Sequence, residues 1–234
     1  SIAGWRYNTE RKGTNEDHYW EWWGNPDIST TEDYKFGFYD ETSVSWDRIA
    51  VNAPYLLMVK SAGNNRAETG PEVGKPYYQR STNGNFTLIP QRPANISSNN
   101  GFDGISTYGN AKNILTVGAV APISNGYNQA SDVAISSFSS WGPTDDGRIK
   151  PDIVGNGVAV LSSTSENDKA YKSLNGTSMA APNVSGTMLL LQEHYANLNK
   201  GQVMRAATLK GLAIHTADEA GTAPGPDYIY GWGL

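Results

Sequence analysis

Short, continuous apolar runs alternate along this chain with stretches of helical periodicity, and each run ends in a turn rich in Gly, Asn or Pro. The first run is "YLLMV" (55–59), which empties into "KSAGNN". The others are "ILTVGAV" (114–120), a run within "VAISSFSSWGP" (133–143), and "IKPDIVGNGVAVLSS" (149–163), which has a turn in its middle. Runs this short without polar alternation read as strands buried on both faces of a parallel sheet. Between and after them lie helices. Asp40 is a suitable N-cap for one in which Trp46, Ile49, Ala50 and Ala53 form an apolar stripe and Pro54 ends the turn. Residues 178–198 predict a long central helix, because Val184, Met188, Leu189, Leu190 and Leu191 make its apolar face too wide for a surface position. A further helix is expected at about 201–214. The alternation predicts an α/β fold, a three-layer arrangement of a mostly parallel sheet with helices on both faces.

Two regions break the rhythm. Residues 1–39 are acidic and aromatic, and five of the seven tryptophans lie within the first 50 residues. This excursion is either an aromatic surface suited to sugar rings or a compact loop whose rings pack inward, the cheaper way to order a polar segment. Residues 65–112 are rich in Gly, Pro, Asn and Ser without a sustained period, and read as a long loop insertion beside the chemistry. With no internal repeat or linker, residues 1–234 read as one domain.

Composition removes several classes of function. A net charge of −5 gives no basic surface for a nucleic-acid backbone. No apolar run reaches the ~18 residues of a membrane span. Without cysteine there is no disulfide framework, thiolate metal site or thiol nucleophile.

In "SLNGTSMAAPNVSG" (173–186) a tight polar turn delivers Ser178 to the first turn of the long helix. There the backbone N–H groups are unpaired and the helix dipole favours negative charge. A hydroxyl at that place can attack a carbonyl while its own N–H steadies the resulting oxyanion. Ala180 and Ala181 leave room for close backbone approach, and Pro182 is expected early in the helix, where a missing N–H costs little. By spacing alone the stretch equally suits an ordinary capped helix.

The residues themselves carry more. "NGTSMAAP" resembles the active-site serine signature of the subtilisin-like serine proteases, the subtilase family. "VKSAGNN", "NAKNILTVGAV", "FSSWGPTDDGRIKPDI" and "YGWGL" resemble further family segments in the same order, from about residue 40 to 234. The resemblance implies a secreted or cell-surface serine endopeptidase acting on protein or peptide substrates. Ser178 would be the acylating nucleophile, and Asn64 would donate to the oxyanion together with the Ser178 N–H. Ser61, Ala62 and Gly63 would wall the pocket for the side chain before the scissile bond. Catalysis would need no cofactor. Structural calcium is common in relatives, and Asp103 or the Asp145-Asp146 pair would offer ligands, but no metal site is assigned.

The pattern also departs from the family. Subtilases order their triad Asp, His, Ser, and no His-Gly-Thr-His segment occurs here. His18, His194 and His215 match no base motif and are assigned surface or packing roles. The chain thus resembles the C-terminal two-thirds of a catalytic domain, with the family's first strands, Asp and His expected on a missing N-terminal part. A serine without a base is a poor nucleophile, so the chain alone is expected to be inactive. "VGNGV" (154–158) stands where many relatives have Ala-Pro-Gly, a change expected to loosen a loop without touching catalysis. The alternative is a non-catalytic binding module, either a degenerate protease or a carbohydrate binder using the aromatic residues 5–46.

Overall fold

The computed structural model describes residues 4–10, 19–96 and 99–234; His18 lies outside them. In chain order the elements are β1 (Trp5–Tyr7), β2 (Trp20–Trp22), α1 (Glu41–Asn52), β3 (Val59–Ser61), β4 (Tyr77–Arg80) and β5 (Phe86–Ile89), then β6 (Leu115–Val120), β7 (Ile153–Asn156), β8 (Val160–Ser163), β9 (Tyr171–Leu174), α2 (Thr177–Leu198) and α3 (Ala206–Thr216).

The expected α/β arrangement forms around β6. This strand pairs in parallel with β3, through Val59–Leu115 and Ser61–Val117, and with β7, through Val117–Ile153 and Val120–Asn156. All six residues of β6 are buried, which explains why its sequence is apolar but for Thr116. Leu115, Val117 and Ala119 meet Ala180, Ala181, Val184 and Met188 of α2 in the main core. Small residues let α2 settle closely on the sheet: a Cβ on Gly155 would come 2.7 Å from Val184 Cγ2. Other groups close on β6 from its flanks. Thr116 Oγ1 donates to Gly109 O (2.8 Å), and Ser139 Oγ accepts from Ala119 N (3.0 Å).

Several boundaries differ from the sequence expectation. The first strand begins at Val59 rather than Tyr55, and Tyr55 and Leu56 are exposed. Among the described residues β3 is bordered by β6 alone, so its flank is covered on one side only. Residues 133–143 form no strand. After one bridge, Ile135 to Val120, both the N–H and the hydroxyl of Ser136 turn to Ala119 O. The 149–163 run divides into β7 and β8. The last helix starts at Ala206, because Ala206 N donates back to Pro54 O (2.8 Å). In α2, Val184 and Met188 are buried as expected, whereas Leu189 and Leu190 are 70% and 67% exposed.

The two irregular regions fold together. β1, β2, β4 and β5 make a second sheet in that order, β2 pairing in parallel with β4 through Glu21–Tyr78 and Trp22–Gln79. Trp5 and Trp22, 0% and 1% exposed, form its core with Tyr77 and Ile96. Trp5 meets Tyr77 edge-on at 5.0 Å, and Arg92 lies over the Trp5 ring while donating to Thr69 O and Ile96 O. Trp5 and Trp22, two of the five tryptophans in the first 50 residues, are therefore spent on packing.

A buried ion network joins β6 to β7. Lys150, 2% exposed, donates to Asp152 Oδ2 (2.6 Å) and Thr116 Oγ1 (3.0 Å), and Lys210 reaches Asp152 Oδ1 (2.9 Å). Burial pulls Lys150 down to about 8 despite the attraction of Asp152. Burial pushes Asp152 up, but the two lysines hold it below its ordinary value.

Candidate active site

The turn before α2 is pinned from beneath. Gly176 N donates to Gly157 O (2.8 Å), and Ala159 N donates to Asn175 Oδ1 (2.7 Å). A Cβ on Gly157 would come 2.7 Å from both Gly176 O and Ala119 Cβ, so only glycine fits between sheet and turn. Asn156 replaces the rigidity of a proline with a side-chain bond, accepting from Val158 N at 3.3 Å. The 154–158 loop is thus the support of the serine turn.

Gly176 is the N-cap of α2, with φ 154. Thr177 is buried, and Ser178, the second helical residue, is exposed. Pro182 lies past the first turn, inside the helix. Its missing N–H falls opposite the carbonyl of Ser178, so its position differs from the one expected.

Asn64 is fixed by Thr177. The Thr177 backbone N–H donates to Asn64 Oδ1 at 2.8 Å and the Thr177 hydroxyl at 2.7 Å; the same hydroxyl accepts from Gly63 N (3.2 Å). Two donors on one atom identify it as the amide oxygen and leave Nδ2 as the outward donor. A Cβ on Gly176 would lie 3.2 Å from Asn64 Nδ2 and 3.6 Å from Ser178 N. Both nitrogens therefore border the space that a side chain at Gly176 would occupy. Asn64 thus lies against the Gly176-Thr177 turn that leads to Ser178. Sequence reasoning missed Thr177, whose signal was its place between the turn glycine and the serine.

Ser61, Ala62 and Gly63 continue β3 towards this point. Lys60 Nζ donates to Ser61 O (2.9 Å) and Ser61 Oγ (3.0 Å), and burial lowers its pKa. Gly63, at φ 127, takes Ser140 N on its carbonyl (2.9 Å), and a Cβ there would come 2.7 Å from Ser140 Oγ.

His194 lies about four turns along α2 from Ser178, ~24 Å by helical rise, and His215 is in the last turn of α3. Of the carboxylates considered for calcium, Asp103 and Asp145 both border Gly37, where a Cβ would lie 2.5 Å from Asp103 Oδ1 and 2.2 Å from Asp145 Oδ1. Asp103 Oδ1 is buried without a partner, and burial, then Asp145 and Glu32, push its pKa up to about 7. Asp146 is instead engaged by Thr144 and Arg148. Among the described residues no three His, Cys, Asp or Glu side chains gather to hold a metal, and no helix is long and apolar enough to cross a membrane.

Known proteins resemble this chain in sequence and in fold. A C5a peptidase of Streptococcus pyogenes serotype M3 is 43% identical over 107 residues, which is 46% of this chain and 9% of that protein. The serine protease AprX of Bacillus subtilis is 35% identical over 111 residues, 42% of this chain and 25% of that one. The chain therefore spans a small part of the length of these relatives. Among solved structures, the patellamide maturation protease PatA superposes with a TM-score of 0.53 at 21% identity, over 85% of this chain and 54% of PatA, a likeness of fold. The sequence model of the subtilase family matches residues 23–233. The chain belongs to the subtilase family.

Proposed function

We propose that this chain carries the nucleophile and oxyanion half of a serine endopeptidase site that hydrolyses peptide bonds through an acyl-enzyme on Ser178. The observation that carries the reading is the anchored carboxamide of Asn64. Its oxygen is held twice by Thr177, so its N–H₂ is left beside the backbone N–H of Ser178. In the proposed reaction Ser178 Oγ bonds to the substrate carbonyl carbon, and its proton passes to a base. The carbonyl oxygen takes the negative charge between Asn64 Nδ2 and Ser178 N. Collapse breaks the C–N bond as the base returns its proton to the leaving amine, and water later cleaves the ester by the same route.

The base and its carboxylate are supplied, in this proposal, by a segment outside these residues. The open side of β3 and the exposed Leu189 and Leu190 offer it a seat. A secreted or cell-surface enzyme acting on proteins or peptides fits the family. Ser61, Ala62 and Gly63 wall the pocket for the residue before the scissile bond, and catalysis itself uses no cofactor.

A fluorophosphonate probe tests the reading, with imidazole added as a substitute base. The expected result is labelling at Ser178 that imidazole accelerates. Asn64→Ala should slow it by about 10²–10³-fold, the range known for the equivalent change in subtilisin, itself a member of this family. Failure to label with or without imidazole removes the enzyme reading in favour of a binding module.

A further inference from the structure

Arg66 is an unusual cation for a surface strand end. Its side chain makes no hydrogen bond or ion pair with the described residues and instead lies over Trp141, 4.0 Å from guanidinium carbon to ring centroid. Burial alone lowers its pKa, with no carboxylate compensating. Arg66 Nε and the Trp141 indole N–H are both buried without an acceptor. An arginine whose guanidinium sits over an indole keeps N–H donors in its own plane that suit a planar, two-oxygen acceptor.

The location gives this edge a purpose. Residues 63–66 run beside 138–140, with Ser140 N donating to Gly63 O (2.9 Å) and Arg66 N to Phe138 O (3.3 Å). Gly63, on the wall leading to Asn64, lies against Ser140, the neighbour of Trp141. Gly101 closes over the stack from the other side: a Cβ there would come 3.2 Å from Arg66 Nη1 and 3.3 Å from the Trp141 ring. At the opposite end of the wall, Lys60 holds a second uncompensated ammonium on Ser61. Among the described residues no carboxylate compensates the charge of Arg66. Glu68 accepts from Asn65 Nδ2 (2.7 Å), and Asp103 responds to burial and to Asp145 and Glu32, not to Arg66.

We infer that the wall formed by Ser61, Ala62 and Gly63 receives an acidic side chain, with Arg66 on its Trp141 plate as the specificity-determining residue and Lys60 adding to the field. The inference rests on the protease reading of the site and names the substrate class for it: peptides with Asp or Glu at the residue seated on this wall. A carboxylate there gives Arg66 the ion-paired, bidentate acceptor it lacks.

The test is calorimetric binding of acetylated tetrapeptide amides ending in Glu, Gln or Lys to the full chain carrying Ser178→Ala. The Glu peptide should bind about tenfold more tightly than the Gln peptide, and the Lys peptide more weakly than either. In Arg66→Gln the Glu-to-Gln ratio should fall to about one, Arg66→Lys should keep part of it, and Lys60→Gln should reduce it less. Circular dichroism and melting of each variant separate lost recognition from lost fold. Equal binding of Glu and Gln, or a preference that survives Arg66→Gln, overturns the inference. Fluorophosphonate labelling of Ser178 is read separately on the unmodified chain. Labelling without charge preference removes the inference and leaves the protease reading, whereas Arg66-dependent preference without labelling does the reverse.

Discussion

Thr177 shows how much of the site is written in single residues and how much is not. Ser178 and Asn64 are legible because each stands inside a distinctive run of neighbours. Thr177 is not, because its task exists only once Asn64, far away in sequence, is brought within 2.7 Å of its hydroxyl. Thr177→Val keeps the backbone donor to Asn64 Oδ1 but deletes the hydroxyl, leaving Gly63 N without its acceptor and the carboxamide freer to turn. A neutral hydrogen bond of this kind contributes about 0.5–1.5 kcal/mol, or up to about tenfold in a rate that depends on it. The imidazole-assisted labelling of Ser178 should slow by about that factor, and Thr177→Ser should recover it. An unchanged rate in the valine variant would mean that the backbone donor alone orients Asn64.

Asp103 offers a second test at this scale. Its carboxyl is raised from 3.8 to about 7 by burial first, then by Asp145 and Glu32. A carboxyl whose folded pKa exceeds its unfolded one binds more protons when native, so stability falls as pH rises from about 4 to about 7. Asp103→Asn should therefore raise the melting temperature at pH 8 and leave it nearly unchanged at pH 4. Allowing for solvent screening of a partly exposed group, the gain should be about 1–2 kcal/mol. Equal effects at both pH values would show that the charge is not the cause.

At the scale of elements, helices were more legible than strands. α1 begins after Asp40, whose carboxylate accepts from Ser43 N at 2.8 Å, and ends where Pro54 requires, because caps are local chemistry. Strand limits depend on neighbours. The run at 55–59 is apolar from end to end, yet pairing starts only when Leu115 N reaches Met58 O. The network between β6 and β7 is of the same non-local kind. Asp152 faces two lysines, and Asp152→Asn would leave Lys150 buried with no counter-charge, at a cost of about 3–5 kcal/mol near pH 7. Lys150 sheds its proton more readily folded than unfolded, so the unfolded chain binds more protons above about 8 and stability rises with pH there. In the variant, with Asp152's attraction gone, that window opens lower still. Denaturant unfolding should show a deficit that shrinks between pH 7 and pH 10; a deficit independent of pH would point to lost hydrogen bonds rather than to a stranded charge.

At the scale of the whole molecule, the parallel α/β sheet was readable from the alternation of runs and helices, and the second sheet was not. Its strands come from segments about 55 residues apart along the chain, joined by the parallel pairing of β2 with β4, and no periodicity within three- or four-residue strands reports such a partner. Composition nevertheless held a hint, since so many tryptophans need somewhere to pack. The two sheets have separate cores, one built on Trp5, Trp22 and Tyr77 and the other on β6 and α2. The loops that lead from one sheet to the other also meet, Gly37 N donating to Ile105 O (2.8 Å). Emptying the first core should therefore loosen one sheet more than the other. Trp22→Ala removes a side chain that is 1% exposed, a change that costs about 3–5 kcal/mol in a packed core. Hydrogen exchange should show protection falling in β1, β2, β4 and β5 while β6 and α2 keep theirs, and Ser178 should still be labelled. Loss of protection in β6 to the same degree would show that the aromatic sheet and the serine scaffold fold as one cooperative unit, and that the excursion is then part of what holds the nucleophile in place.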